Sequence, residues 1–309
     1  MRSAGAGTIA SIAAVAFALL MPAAHARKIE RPAPSVERNV VYGMVSGAAL
    51  LLDVHRPAQS NGLGIVFVAG SGWQADPAYG VRPIKETQID LWGPPLTAAG
   101  YTVFSVNHRG APRFHYPAAI DDVQRAIRFV RANAPRYGID GARLGGLGGS
   151  SGGNLIALAA LRAAPGIAAD GDAVNREPAT LQAIVLRAAV TDLRALPTVA
   201  GANLVVAYME SPPGGAAGAL YDAASPITQV RAGAPPTLLI HGDADDLIPY
   251  AQSLAMQAAL AAASVEARLV TVPGGRHGAD FGVAGTRPAS WPNYYVETVD
   301  WFDRHLRRN

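Results

Sequence analysis

The chain of 309 residues is half hydrophobic, has no cysteine and carries a formal net charge of +3. This length and composition allow a large buried core, while the lack of cysteine excludes disulfides and thiolate metal sites. The basic residues are scattered along the chain, so the charge does not indicate a nucleic-acid-binding surface.

The first 26 residues have the pattern of a secretory signal peptide. An uncharged apolar run from Thr8 to Met21 follows Arg2, and Ala24-His25-Ala26 follows the run as a small-residue cleavage site. The run is shorter than a membrane span requires. We expect cleavage near residue 27, export to the periplasm or the cell exterior, and no stable membrane span afterwards. An uncleaved N-terminal anchor is the alternative.

The remainder of the chain alternates between strand and helix patterns. Residues 27–39 are predicted to be a linker, and residues 40–309 one domain. Strands are predicted at 49–54, 64–69, 101–106, 144–148, 181–186, 237–241 and 268–272, and helices at 118–137, 154–163, 250–263 and 294–307. Apolar strands that alternate with helices are typical of an α/β fold, a mostly parallel sheet with helices on both faces. Residues 197–236 break the alternation and are interpreted as an excursion over the sheet.

Two adjacent serines lie in the glycine run GLGGSSGGNL, residues 146–155. The pattern G-x-S-x-G fits this run twice, once around Ser150 and once around Ser151. The run follows a predicted strand, at the edge where α/β sheets place catalytic groups. A nucleophilic serine needs such a turn, with small residues on both sides and helix N–H groups that stabilise negative charge. A phosphate loop would need lysine, and a dinucleotide fingerprint would need glycine at 151; a flexible loop stays open.

An acid and a histidine follow the serines in chain order. Asp243, Asp245 and Asp246 come directly after the strand predicted at 237–241, and His277 comes after the last strand and a glycine turn. A nucleophilic serine needs a base, and the base needs an orienting acid. Three strand ends that carry serine, acid and histidine in this order indicate a catalytic triad. A calcium loop at these aspartates is disfavoured, because the glycine at its sixth position and the glutamate at its twelfth are missing.

Several segments together make the chain resemble α/β-hydrolases of the secreted carboxylesterase type, in the branch that includes feruloyl and acetyl-xylan esterase-like enzymes. These segments are LLDVHRP (51–57), GYTVFSVNHRGAPRFHYPAAIDDV (100–123), YGIDGARLGGLGGSSGGNL (137–155), ASPI (224–227), PPTLLIHGDADDLIP (235–249) and PGGRHG (273–278). The resemblance runs from about residue 40 to the C-terminal helix. It implies an α/β-hydrolase fold.

The resemblance also implies a role for each triad residue. The family elbow G-x-S-A-G-G-H/N-L places the nucleophile at Ser150 and puts Ser151 in the alanine position. The family motif H-G-x-x-D-x-x-V-P places the acid at Asp245, and the base is then His277.

The oxyanion segment departs from the family pattern. Where the family usually has H-G-G-G-W, residues 69–73 read AGSGW. The resemblance implies that the backbone N–H groups of Ser71, Gly72 and Ser151 hold the oxyanion. Because serine adopts glycine's backbone angles only at a cost, we expect a loop that is shaped or anchored differently.

The expected activity is hydrolysis of carboxylic esters through an acyl-enzyme, with no metal and no organic cofactor. By analogy, the substrate is a small acyl ester or a plant cell-wall-type ester, and no nucleic-acid partner is expected. Trp73 and Tyr116 are candidate substrate-binding residues, although core positions suit them equally. A peptidase or amidase of the same fold and a non-catalytic binding protein are the alternatives.

Overall fold

The computed structural model describes residues 33–75, 81–196, 199–283 and 287–307. The predicted signal peptide, residues 1–26, lies outside the described residues. Among the helices that are described, none has the length and apolar character needed to cross a membrane.

The described residues form one sheet of eight strands, named β1 to β8 in chain order. They are Ser35–Val45, Ala48–Arg56, Gly64–Val68, Thr102–Val106, Leu144–Gly149, Ala183–Arg187, Thr237–Gly242 and Ala267–Val272. Their order in the sheet is β1-β2-β4-β3-β5-β6-β7-β8. Strand β1 pairs antiparallel with β2 and β2 antiparallel with β4, whereas all the other neighbours are parallel. The parallel strands β3 to β8 therefore end at the same edge of the sheet.

Helices cover both faces of this sheet. They are Ile89–Ala98, Ala118–Ala132, Ala134–Tyr137, Ser150–Arg162, Val199–Met209, Gly218–Ala224, Ala251–Ala262 and Tyr294–Leu306, named α1 to α8 in chain order. Helices α2, α4 and α7 pack into the hydrophobic core on one face. Helices α1 and α8 pack into a second core on the other face. This arrangement confirms the predicted fold class.

The main differences from the sequence prediction lie at the ends and in the connections. Strand β1 begins at Ser35, so residues 35–39 of the predicted linker belong to a strand, and residues 35–37 pair with β2. Helix α1 was not predicted, and it contains Pro94 and Pro95. The helix predicted over 118–137 is divided at Asn133 into α2 and α3. The excursion at 197–236 contains α5 and α6.

A buried ion pair fixes the short helical turn that leads into α1. Lys85 Nζ lies 2.8 Å from Asp53 Oδ1, and both side chains are 1% exposed. Asp53 belongs to β2, and its Oδ1 also accepts the backbone N–H of Asn39. Ser105 of β4 donates its hydroxyl to the Lys85 carbonyl. The turn Ile84–Glu86 is thereby attached to the sheet, and it positions Gln88 just before α1.

Replacing Lys85 with methionine tests this anchor. The change leaves the Asp53 carboxylate buried without its main cation, so we expect a loss of about 3–5 kcal/mol in the free energy of unfolding. Urea unfolding monitored by circular dichroism measures it. Arg268→Met is the matched control: its pair with Glu297 is half exposed, and we expect a loss of about 1 kcal/mol or less. Equal losses in both variants would contradict the assignment.

Candidate active site

Ser150 occupies a sharp turn between strand β5 and helix α4. Its φ is +52°, a left-handed conformation that is costly for a residue with a side chain. The turn is possible because strand and helix lie in backbone contact: a Cβ at Gly148 would overlap the peptide of Gly152, and one at Gly152 would overlap the carbonyl of Val68. The two glycines of the G-x-S-x-G pattern around Ser150 are therefore sterically required.

Ser150, His277 and Asp245 form one hydrogen-bonded chain at the carboxyl edge of the sheet. His277 Nε2 lies 3.2 Å from Ser150 Oγ, and His277 Nδ1 lies 2.8 Å from Asp245 Oδ2. Because a carboxylate accepts hydrogen bonds, this contact favours the tautomer with its proton on Nδ1. Nε2 is then free to accept a proton from the serine hydroxyl.

Ser151, the neighbouring serine, has a different environment. It is fully buried, and its Oγ accepts the backbone N–H of Ser71 at 2.9 Å. Of the two serines, the structure therefore brings Ser150 to His277. Ser151 instead ties the start of α4 to the loop that follows β3.

The Asp245 carboxylate is surrounded by four hydrogen-bond donors, one of which, His241 Nε2, also lies 3.0 Å from the Ile248 carbonyl. Oδ1 accepts the N–H groups of Leu247 and Ile248 at 3.0 and 2.8 Å. Oδ2 contacts His277 and also lies 3.2 Å from His241 Nε2. Burial by itself raises the pKa of Asp245, but the hydrogen bonds from His241, His277 and the Ile248 amide hold that pKa well below its usual range.

The other acidic candidates point elsewhere. Asp243 is exposed and accepts the backbone N–H of Gly274 at 2.6 Å. Asp246 is exposed and pairs with Arg276. Neither carboxylate hydrogen-bonds to His277.

The loop after β3 is held by side chains instead of the family's histidine. The Gln88 carboxamide bonds to both sides of Gly70: its Oε1 lies 3.4 Å from the Gly70 nitrogen and its Nε2 3.1 Å from the Gly70 carbonyl. The expectation of a differently anchored loop agrees with these contacts. The N–H of Ser71 was predicted to hold the oxyanion, but it already donates to Ser151. Gly72 and Ser151 are the predicted donors whose N–H groups have no acceptor among the described residues.

Trp73 and Tyr116, the two aromatic candidates, do not line the cleft over Ser150 and His277. Trp73 is 1% exposed, stacks on Tyr208 with ring centroids 4.8 Å apart, and donates to Asn154 Oδ1. Tyr116 packs edge-on against Tyr208, and its hydroxyl accepts from Arg162. Both side chains belong to an aromatic cluster with Tyr208 beside the cleft, and their binding of substrate stays a prediction.

The cleft over Ser150 and His277 has a volume of about 240 Å³. It is lined by residues 70–72 of the loop after β3 and by Gln88, Leu204 and Arg187. Sequence reasoning missed Gln88 and Arg187. The position of Arg187 at the end of a buried strand was the one available signal, since strand ends in this fold class point into the site.

Comparison with known proteins assigns the chain to a family. Residues 52–260 match the model of the family described as BD-FAE. The chain belongs to the BD-FAE family. Its fold is that of an α/β-hydrolase, and the resemblance inferred from the sequence is confirmed.

Two of the similar curated proteins are named as esterases. Esterase LipQ of Mycobacterium tuberculosis is 33% identical over 72% of this chain and 52% of its own length. Esterase LipC of the same organism is 31% identical over 79% of this chain and 60% of its own. The chain thus spans little more than half of these curated relatives.

Solved structures of esterases also superpose on the chain. A truncated carbohydrate esterase from gut microbiota is 26% identical with a TM-score of 0.70, over 90% of this chain and 99% of its own. An acetyl ester-xyloside bifunctional hydrolase from Caldicellulosiruptor lactoaceticus is 25% identical with a TM-score of 0.71, over 88% and 97%.

Acid titration tests the environment of Asp245. Because its folded-state pKa is lowered, the carboxylate stabilises the fold fully above the unfolded pKa of about 3.9, and this contribution is lost progressively as the pH falls from there through the lower folded-state pKa. We expect Asp245→Asn to be less stable than the wild type near neutral pH, by a difference that shrinks between about pH 5 and pH 2. Urea unfolding across this range measures the difference.

Asp243→Asn is the matched control, because Asp243 is exposed and bonds to no histidine. A difference between wild type and Asp245→Asn that stayed constant down to about pH 2 would show that Asp245 is not held as a carboxylate.

Proposed function

We propose that this protein is a serine esterase that hydrolyses carboxylic esters through an acyl-enzyme. The observation that carries the proposal is the chain of contacts from Ser150 through His277 to Asp245, which opens into a cleft. The esterase relatives support the same activity.

The first half of the reaction acylates Ser150. Its Oγ attacks the ester carbonyl while His277 Nε2 takes the hydroxyl proton. The imidazolium that forms is stabilised by the buried Asp245 carboxylate, which keeps its negative charge. When the tetrahedral intermediate collapses, His277 returns the proton to the leaving alcohol.

The second half repeats these steps with water. His277 accepts a proton from a water molecule, whose oxygen attacks the acyl-enzyme carbonyl. The new intermediate then expels Ser150, which regains its proton. Both intermediates carry a negative oxygen, and the N–H groups of Gly72 and Ser151 are the proposed donors to it. The second of these lies in the first turn of α4, where backbone N–H groups have no partner within the helix.

The size of the cleft favours a small acyl group. Its volume of about 240 Å³ is below the roughly 300–1,000 Å³ of sites for drug-sized ligands. Two of the similar structures carry names that refer to carbohydrate or xyloside substrates. We therefore propose short acyl esters of sugars or other small alcohols as substrates. Action outside the cytoplasm stays a prediction from the leader sequence.

Ser150→Ala tests the proposed function. Removal of the nucleophile is expected to lower kcat/KM for 4-nitrophenyl acetate by at least about a thousandfold, while circular dichroism and thermal unfolding show an intact fold. Ser60→Ala is the matched control, since Ser60 lies in an exposed turn before β3, remote from the cleft edge of the sheet. Turnover by Ser150→Ala near the level of Ser60→Ala would refute the role of Ser150.

A further inference from the structure

Arg187 is a buried cation that the proposed reaction does not use. It is the last residue of β6, is 2% exposed, and lines the cleft beside Ser150 and His277. Its guanidinium packs directly on the residue before the nucleophile, because a Cβ at Gly149 would overlap it. The charge therefore lies within contact distance of the catalytic turn.

Both hydrogen-bond acceptors of Arg187 are neutral. Nη1 donates to the carbonyl of Gly278, the residue after His277, and Nη2 donates to Gln88 Oε1 at 3.1 Å. A guanidinium has five N–H donors. The other three have no acceptor among the described residues, and the Phe281 ring lies 5.9 Å from Cζ.

Among the described residues, no carboxylate forms an ion pair with the Arg187 guanidinium. Burial lowers the pKa of Arg187 to about 10, and Asp245 and Asp280 counter that effect from longer range. Asp245 is already engaged by two histidines and two amides. The buried charge of Lys85, by contrast, is compensated by the Asp53 carboxylate at 2.8 Å. Buried cations are usually compensated in this way.

We propose that Arg187 binds a carboxylate on the substrate, so that the cleft selects esters that carry a negative charge close to the scissile bond. This inference rests on the proposed esterase function. Unused donors, burial and a position beside the catalytic turn suit charge-assisted, bidentate recognition of a carboxylate. Two substrate classes share this chemistry: monoesters of dicarboxylic acids, with the charge on the acyl side, and acyl esters of hydroxy acids or acidic sugars, with the charge on the alcohol side.

Two pairs of isosteric esters separate these classes. Monoethyl glutarate against ethyl 4-carbamoylbutanoate compares charge with a neutral amide on the acyl side. Acetoxyacetate against acetoxyacetamide makes the same comparison on the alcohol side. Hydrolysis followed by pH-stat gives kcat/KM for each ester, and the quantity of interest is the anionic-to-neutral ratio within a pair.

We expect the wild type to prefer the anionic ester in one pair by about ten- to a hundredfold, the usual strength of a hydrogen bond to a charged group. Arg187→Met removes the donors and is expected to abolish that ratio. Arg187→Lys keeps a charge with fewer donors and is expected to retain part of it. Glutarate should also inhibit the wild type competitively, and more strongly than glutaramide does.

Two results would overturn the proposal. One is a wild-type ratio near unity in both pairs with equal inhibition by glutarate and glutaramide. The other is a fall in kcat/KM that is equal for both esters of a pair in Arg187→Met or Arg187→Lys. That result would mean that Arg187 only supports the loops that carry His277 and Gly70. If Arg187→Met does not fold, the lysine variant and the inhibition data decide. Failure of the esterase function itself would look different: no turnover of any of these esters or of 4-nitrophenyl acetate.

Discussion

The close backbone contact between β3, β5 and α4 is the constraint on which the site depends. The peptides of Gly148, Gly152 and Val68 lie so near each other that no side chain fits at either glycine. This contact forces Ser150 into a left-handed conformation, and that conformation directs its hydroxyl away from the sheet toward His277. Strain at one residue is maintained because the surrounding packing over-determines it.

The same turn organises the loop after β3, which has no histidine at residue 69. Ser151 is buried beneath the turn and accepts the N–H of Ser71, while Gln88 bonds to both sides of Gly70. Gln88 follows the turn that the buried Lys85–Asp53 ion pair attaches to the sheet. Its Oε1 also accepts a hydrogen bond from Arg187. The backbone of Gly70 and Ser71, which borders the cleft, is therefore held by the side chains of Gln88 and Ser151. These side chains are distant from the loop in the sequence.

The sequence was sufficient for the parts governed by local pattern and chain order. Apolar strands, the glycine-flanked serines and the ordered acid and histidine led to the sheet and to Ser150, Asp245 and His277. Contacts between distant segments were not accessible: the 71–151 bond that occupies a predicted oxyanion donor, and the burial of Trp73 against Tyr208, arise only when the chain folds. Helix α1 escaped prediction because two prolines lie within it.

Labelling of the wild-type protein with a fluorophosphonate probe, followed by peptide mapping, tests the central claim most directly. The probe reacts with a serine whose proton is taken by a base and whose developing oxyanion is stabilised. We expect stoichiometric labelling of Ser150, and little or no labelling when Asp245 or His277 is replaced. Modification of Ser151 instead, or an unlabelled protein that circular dichroism shows to be folded, would contradict the account.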